Sequence, residues 1–250
     1  MENSPSLRRP TRFFILAAGR TGSTRLRLLL DSHPSVRCHG EVFGENLSTL
    51  TGPGAEDPGV LAEMRSANAA DFAKNTVFAA KGEDAVGFKI LYHQLERSWE
   101  GLMEALVEEK DIRVIHLVRR NGIKRFLSEF FVGNVTQKNI FQKGEEIPPL
   151  NSVKIPVSVL LENLEYIEMA STRMRRTFRD HPFREVAYED SLEDNGSAMR
   201  EILKFLGVPS AELSVGIRKI LPDDMRQIIA NYDELATALR GSRFEYMLQP

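Results

Sequence analysis

Phe13-Phe14-Ile15-Leu16-Ala17-Ala18-Gly19-Arg20-Thr21-Gly22-Ser23-Thr24, continuing through Leu26, Leu29 and Leu30 to Glu41, is the stretch that decides the fold. Its opening apolar run, bounded by Gly19, reads as a buried strand. The leucines recur at helical spacing, so a helix begins at Ser23. Between strand and helix, Gly19 to Thr24 is small and hydroxylated and carries one cation, Arg20. Strand, glycine-bearing loop and helix N-terminus make an anion cradle. The first N–H groups of a helix lack internal partners, and the dipole is positive there. Glycines let the backbone approach an oxyanion closely, with no Cβ in the way.

The rest of the chain bounds what that anion is. At 250 residues it is long enough to bury a substantial core, as one α/β domain over 12–250 preceded by a loose arm over 1–11. A formal net charge of −2 argues against a bulk nucleic-acid or anionic-membrane binder, so any anion site is a local concentration of arginine. The one cysteine, Cys38, cannot form an internal disulfide and reads as an apolar filler. No apolar run approaches a membrane span, and the N-terminus lacks a signal-peptide core, which makes the cytoplasm the expectation.

Further strands are expected at Val36–Cys38, Ala85–Leu91, Ile112–Val118 and Glu185–Tyr188, with helices between them. Alternation of this kind implies a mainly parallel sheet with helices on both faces, a three-layer P-loop-like α/β/α arrangement. Ligands in such sheets lie outside the carboxyl ends of the strands. Residues 133–156 carry glycines and prolines without periodicity and read as a lid, an acceptor loop or a homodimer contact. The arginines at 173, 175, 176 and 179 read as a solvated helix face.

A nucleotide-triphosphate loop places lysine after its second glycine. Here Ser23 follows Gly22, and the cation comes earlier, at Arg20. The run Arg20-Thr21-Gly22-Ser23-Thr24 instead resembles the 5′-phosphosulfate loop of sulfotransferases that use 3′-phosphoadenosine 5′-phosphosulfate (PAPS). A second run, Leu117-Val118-Arg119-Arg120-Asn121-Gly122, ends a strand, and Ser128 follows on the next helix. This resembles the family's 3′-phosphate motif, with Arg120 at an eight-residue spacing from Ser128 and Arg119 at nine. Arginine offers a planar fork of donors to phosphate, and a serine hydroxyl adds a directional bond. A purely structural basic helix start is physically poor, because the dipole disfavours cations there. Further likeness lies in His39-Gly40-Glu41, Gly87-Phe88-Lys89, Val186 to Asp190, Arg218-Lys219 and Asn231-Tyr232. These look like bacterial carbohydrate sulfotransferases of the trehalose and nodulation-factor type. Residues 44–80 do not align with that pattern.

The resemblance implies sulfuryl transfer to a hydroxyl of a carbohydrate or related acceptor, leaving adenosine 3′,5′-bisphosphate. Gly19 to Thr24, Arg119, Arg120 and Ser128 would hold the donor, with Arg218 and Lys219 reaching the 3′-phosphate from a late loop. Sulfuryl carries little charge to neutralise, so arginine and amides can serve without a metal. An attacking alcohol needs a general base. Glu41 is the choice, at the end of the second strand and expected beside the first loop. His93 is the reserve, His39 is placed to orient Glu41 or the sugar, and Lys89 is a candidate contact for sulfate or acceptor. Trp99 and the phenylalanines at 126, 130 and 131 read as core. Two other readings stand beside this one: a P-loop kinase or NTPase, and a non-catalytic nucleotide-binding module.

Overall fold

Phe13 to Ala17 are all fully buried, which is why this strand is a continuous apolar run rather than an alternating one. In the computed structural model, which describes residues 9–44, 47, 50, 57–97, 99–136, 138, 141–193, 196–217 and 220–249, it is β1, Thr11–Ala17. It therefore starts inside the expected arm. The chain continues through α1 (Ser23–Asp31), β2 (Val36–His39), α2 (Pro58–Ala67), α3 (Ala69–Phe72), β3 (Ala85–Leu91), α4 (Tyr92–Arg97) and α5 (Leu102–Glu108). Then come β4 (Arg113–Val118), α6 (Gly122–Phe131), α7 (Val157–Thr177), β5 (Phe183–Ala187), α8 (Tyr188–Glu193), α9 (Ser197–Leu206) and α10 (Tyr232–Leu239). Between β2 and β3, Asn68 is extended, ends α2 and caps α3 by accepting from Asp71 N–H.

The five strands are all parallel, in the order β2-β3-β1-β4-β5. Phe14 and Leu16 face one layer, with Phe88, Ile90 and Val114 packed under α2, α3, α5 and the second half of α7. Phe13, Ile15 and Ala17 face the other, against Leu26 and Leu30 of α1 and Ile202 and Leu206 of α9. The three-layer arrangement follows from this period-two division of one strand. Gly87 is the contact that allows it, since a Cβ there would lie 2.3 Å from the Phe13 carbonyl oxygen. A third cluster joins α6, the first half of α7 and the C-terminal segment. Trp99 packs against the first cluster and Phe126 and Phe131 lie in the third, as expected of core residues, whereas Phe130 is half-buried against Phe131 and outside that cluster.

After β1 the chain moves to one side of the sheet, to β2 and β3, and after β4 to the other side, to β5. The loops leaving β1 and β4 therefore part from each other and open a crevice at the carboxyl edge. One expectation is corrected here. β3 lies between β2 and β1, so Glu41 is not beside the first loop but one strand away from it. The segment 133–156 is tied at single bridges, Gln142 to Ile217 and Val153 to Ile229, and the Asn231 side chain brackets Ile155. Among the described residues no helix is long and apolar enough to cross a membrane.

Candidate active site

The loop after β1 adopts a backbone few sequences tolerate. Arg20 has φ +65°, the one non-glycine residue with positive φ among those described, and Gly22 has φ +82°. Strain of this kind persists where the surroundings over-determine it. Here Thr21 Oγ1 donates to the Ala18 carbonyl at 2.8 Å. Arg125 donates to the Gly19 carbonyl and Arg119 to the Arg20 carbonyl, each at 3.2 Å. A Cβ on Gly22 would meet the Tyr188 ring at 2.4 Å, so only glycine fits against that ring.

Cations converge around this loop. Arg20 Nε donates to Ser128 Oγ at 3.1 Å, so the two sequence motifs touch. The Arg119 guanidinium lies 4.7 Å from the centre of the Tyr188 ring. Burial lowers the pKa of both Arg20 and Arg119, and for Arg20 the charges of Arg119 and Arg125 lower it further. Arg125 is only 2% exposed, held by Gly19, Glu129 and Asn163. The Nε atoms of Arg119 and Arg125 are buried without a hydrogen-bond partner among the described residues. Each buried donor left so costs about 1–3 kcal/mol. Desolvated, mutually repelling guanidinium groups, two of them with an unpartnered buried Nε, make a local concentration of positive charge, a pattern suited to an anion.

The acid side is a chain of four groups. Lys89, near the end of β3, is almost wholly buried and donates to Thr24 Oγ1 at 2.9 Å. Its ammonium lies 2.6 Å from Glu41 Oε1, and Gln94 Nε2 donates to Glu41 Oε2 at 2.7 Å. Burial pushes the Glu41 carboxyl up, but Lys89, Gln94 and the charge of His93 outweigh it, and its pKa falls below the ordinary value. Glu41 is thus an ionised carboxylate at neutral pH. For Lys89, burial lowers the pKa and Glu41 offsets it only in part. Lys89 spans the strand that separates Glu41 from the loop, so the carboxylate is coupled to Thr24 at one remove.

The remaining expected residues divide. Arg120 is exposed and forks onto Asp190, the longer bond 2.7 Å, while its N–H donates to Glu189. Of the two neighbouring arginines, Arg119 is the one turned to the loop. His93 is exposed at the start of α4. His39 is buried, and desolvation lowers its pKa to about 4, so it is neutral. Arg218 and Lys219 lie outside the described residues. Sequence reasoning did not find Arg125 or Gln94, and it included Tyr188 in the Val186 to Asp190 likeness without giving it a role in the site. Arg125 stands on the face of α6 opposite its phenylalanines, so periodicity marks it as solvent-facing; the misplaced cations of that first turn were the available signal.

No family model matches the chain. It is 25% identical over 228 residues, 90% of each chain, to Nodulation protein H of Rhizobium meliloti (strain 1021). The structure superposes on a sulfotransferase from Alicyclobacillus acidocaldarius with a TM-score of 0.50 and 17% identity, covering 97% of this chain and 96% of that one. Mouse sulfotransferase SULT7A1 complexed with PAP aligns with a TM-score of 0.50 and 13% identity, over 95% of this chain and 88% of that one. The parallel five-stranded sheet flanked by helices is the fold these structures share with it. The chain is a member of the sulfotransferase fold, related in sequence to Nodulation protein H along nine-tenths of its length.

Proposed function

We propose that this protein transfers a sulfuryl group from PAPS to a hydroxyl of a carbohydrate or related alcohol, in the cytoplasm. The observation that carries the reading is two bonded groups meeting at one turn. Arg119, Arg20 and Ser128 meet at the first loop, and Thr24, in the first turn of α1 that follows it, is joined through Lys89 to the carboxylate of Glu41. Donor-binding cations and a base thus share one edge of the sheet.

In the proposed reaction the acceptor oxygen forms a bond to sulfur as the bond from sulfur to the 5′-phosphate oxygen breaks. Glu41 takes the hydroxyl proton, and Arg20, Lys89 and the loop N–H groups face the charge that grows on the departing phosphate oxygen. Phosphoryl transfer supplies the physical parallel: positioning and fixed charge do most of the work. Arg119 and Ser128 are assigned to the 3′-phosphate. The acceptor would enter from the Glu41 and His93 side, with residues 133–156 as a lid over it.

Titration calorimetry with adenosine 3′,5′-bisphosphate, and separately with ATP and Mg²⁺, tests the donor assignment. Tight binding of the bisphosphate is the expected result, and a preference for ATP defeats the reading. A panel of hydroxylated acceptors with labelled PAPS then identifies the alcohol.

A further inference from the structure

Helix α7, Val157–Thr177, has two unlike faces. It buries Leu160, Leu164, Ala170, Ser171 and Met174. On the opposite side Val159, Glu162, Tyr166, Met169, Arg173 and Arg176 are all exposed and follow one another in steps of three, four, three, four and three. That alternation keeps a single seam turned toward a neighbouring helix. Its apolar members are unusually open: Met169 is 71% exposed, Val159 46% and Tyr166 42%. Charge is distributed unevenly along the same helix, with Glu162, Glu165 and Glu168 before Met169 and Arg173, Arg175 and Arg176 after it.

We propose that this face is the contact of a homodimer in which two copies of α7 pack antiparallel about a twofold axis passing between Tyr166 and Met169. A twofold contact must be self-complementary, each residue meeting on the partner the residue that meets it in return. The seam satisfies this condition at every step. Tyr166 faces the partner's Met169, an aromatic ring against a thioether. Glu162 faces the partner's Arg173, and Val159 lies along the stem of the partner's Arg176. A parallel pair would instead set glutamates against glutamates and arginines against arginines. Beside the seam, Arg243 reaches Glu168 at 2.8 Å, and Tyr246 is 55% exposed, which widens the patch. Arg173 also holds Glu96 of its own chain at 2.7 Å, so it is directed before the partner arrives. The contact is one helix face about 32 Å long, small beside the roughly 800 Å² per partner typical of a stable interface, so association is expected to depend on concentration.

Sedimentation of the full chain across a concentration series tests it, with circular dichroism to verify folding of each variant. The parent is expected to pass from monomer to dimer as concentration rises. Met169→Glu, Glu162→Arg and Arg173→Glu should each remain monomeric throughout. A mixture of Glu162→Arg with Arg173→Glu should dimerise again, because opposite charges then meet at both flanks of the seam. Recovery in the mixture also shows that the single variants had folded. A parent that stays monomeric overturns the proposal. So does a dimer that persists in the single variants, or a mixture that does not associate.

Discussion

The ammonium of Lys89 lies 2.6 Å from the carboxylate of Glu41, across the strand that separates β2 from the phosphate loop. Lys89 also donates to Thr24, so one buried cation links the proposed base to the start of α1, beside the loop proposed to hold the leaving phosphate. Removing it should do two things. Lys89→Met should lower kcat by about a hundredfold, the scale of one preorganised donor in a dry site. It should also free the Glu41 carboxyl to follow its burial, so its pKa rises. With Glu41 as the proposed base, activity requires the ionised carboxylate and falls as pH drops through that pKa. The acid limb of the kcat profile should move to higher pH in the variant. A profile that keeps its acid limb would detach Lys89 from the base.

Glu41→Gln preserves shape and the bond from Gln94 while abolishing proton uptake. The expected loss in kcat is about 10²- to 10⁴-fold, with affinity for adenosine 3′,5′-bisphosphate little changed. Near-normal turnover would move the base to His93, which is exposed close to that carboxylate.

Arg119 and Arg120 are adjacent in sequence but differ in position. Arg119 is half-buried against Tyr188 and reaches the loop, whereas Arg120 is an exposed partner of Asp190. Exposed pairs are worth about 0–1 kcal/mol. Arg119→Ala should weaken bisphosphate binding by more than about tenfold, since it removes a partly desolvated phosphate donor. Arg120→Ala should change it by no more than about threefold. Calorimetry on the two variants decides the matter, and the reverse ranking would place the 3′-phosphate at Arg120.

That pair shows what the sequence could and could not disclose. Strand, loop and helix were readable because each is local: an apolar run, a glycine turn, leucines at helical spacing. The second motif was readable because a cluster of cations just before and within the first turn of α6 runs against the helix dipole. The choice between Arg119 and Arg120 depends on Asp190 and Tyr188, roughly seventy residues away, and spacing does not encode such partners. Sheet order is likewise non-local. Val36–His39 and Ala85–Leu91 both read as strands, but nothing in either run shows that β3 inserts beside β1. Arg125 was hidden for the same reason: its burial comes from Gly19 and Asn163, both distant in the chain.

Gly22→Ala adds one methyl group to a position with positive φ and a ring 2.4 Å away. Left-handed strain alone costs on the order of 1–3 kcal/mol, and displacing Tyr188 would loosen the stack under Arg119. Thermal unfolding should shift down, and bisphosphate affinity should fall with it. A variant of unchanged melting temperature would mean that the loop yields freely and that its left-handed turn is not enforced.

Glu185 offers a test of the fold apart from the site. Its Oε2 lies 2.9 Å from His116 Nδ1 and 2.6 Å from Arg175 Nε, and Tyr92 Oη lies 2.6 Å from His116 Nε2. The hydrogen bond from His116 lowers the Glu185 pKa most, burial opposes it, Arg175 adds to the lowering, and the result is about 2 against an ordinary 4.5. Burial lowers the His116 pKa as well, so the ring is neutral at pH 7 and donates Nδ1–H to Glu185. A depressed carboxyl contributes stability that is complete above its unfolded pKa and lost as pH falls toward the folded one. Glu185→Gln should therefore be less stable than the parent at pH 7, and the gap should narrow as pH falls from 4.5 toward 2. Unfolding temperatures of both proteins across that window provide the measurement. A gap that stays constant with pH would show that packing, rather than the charge of Glu185, supports His116 and Tyr92 beneath the sheet.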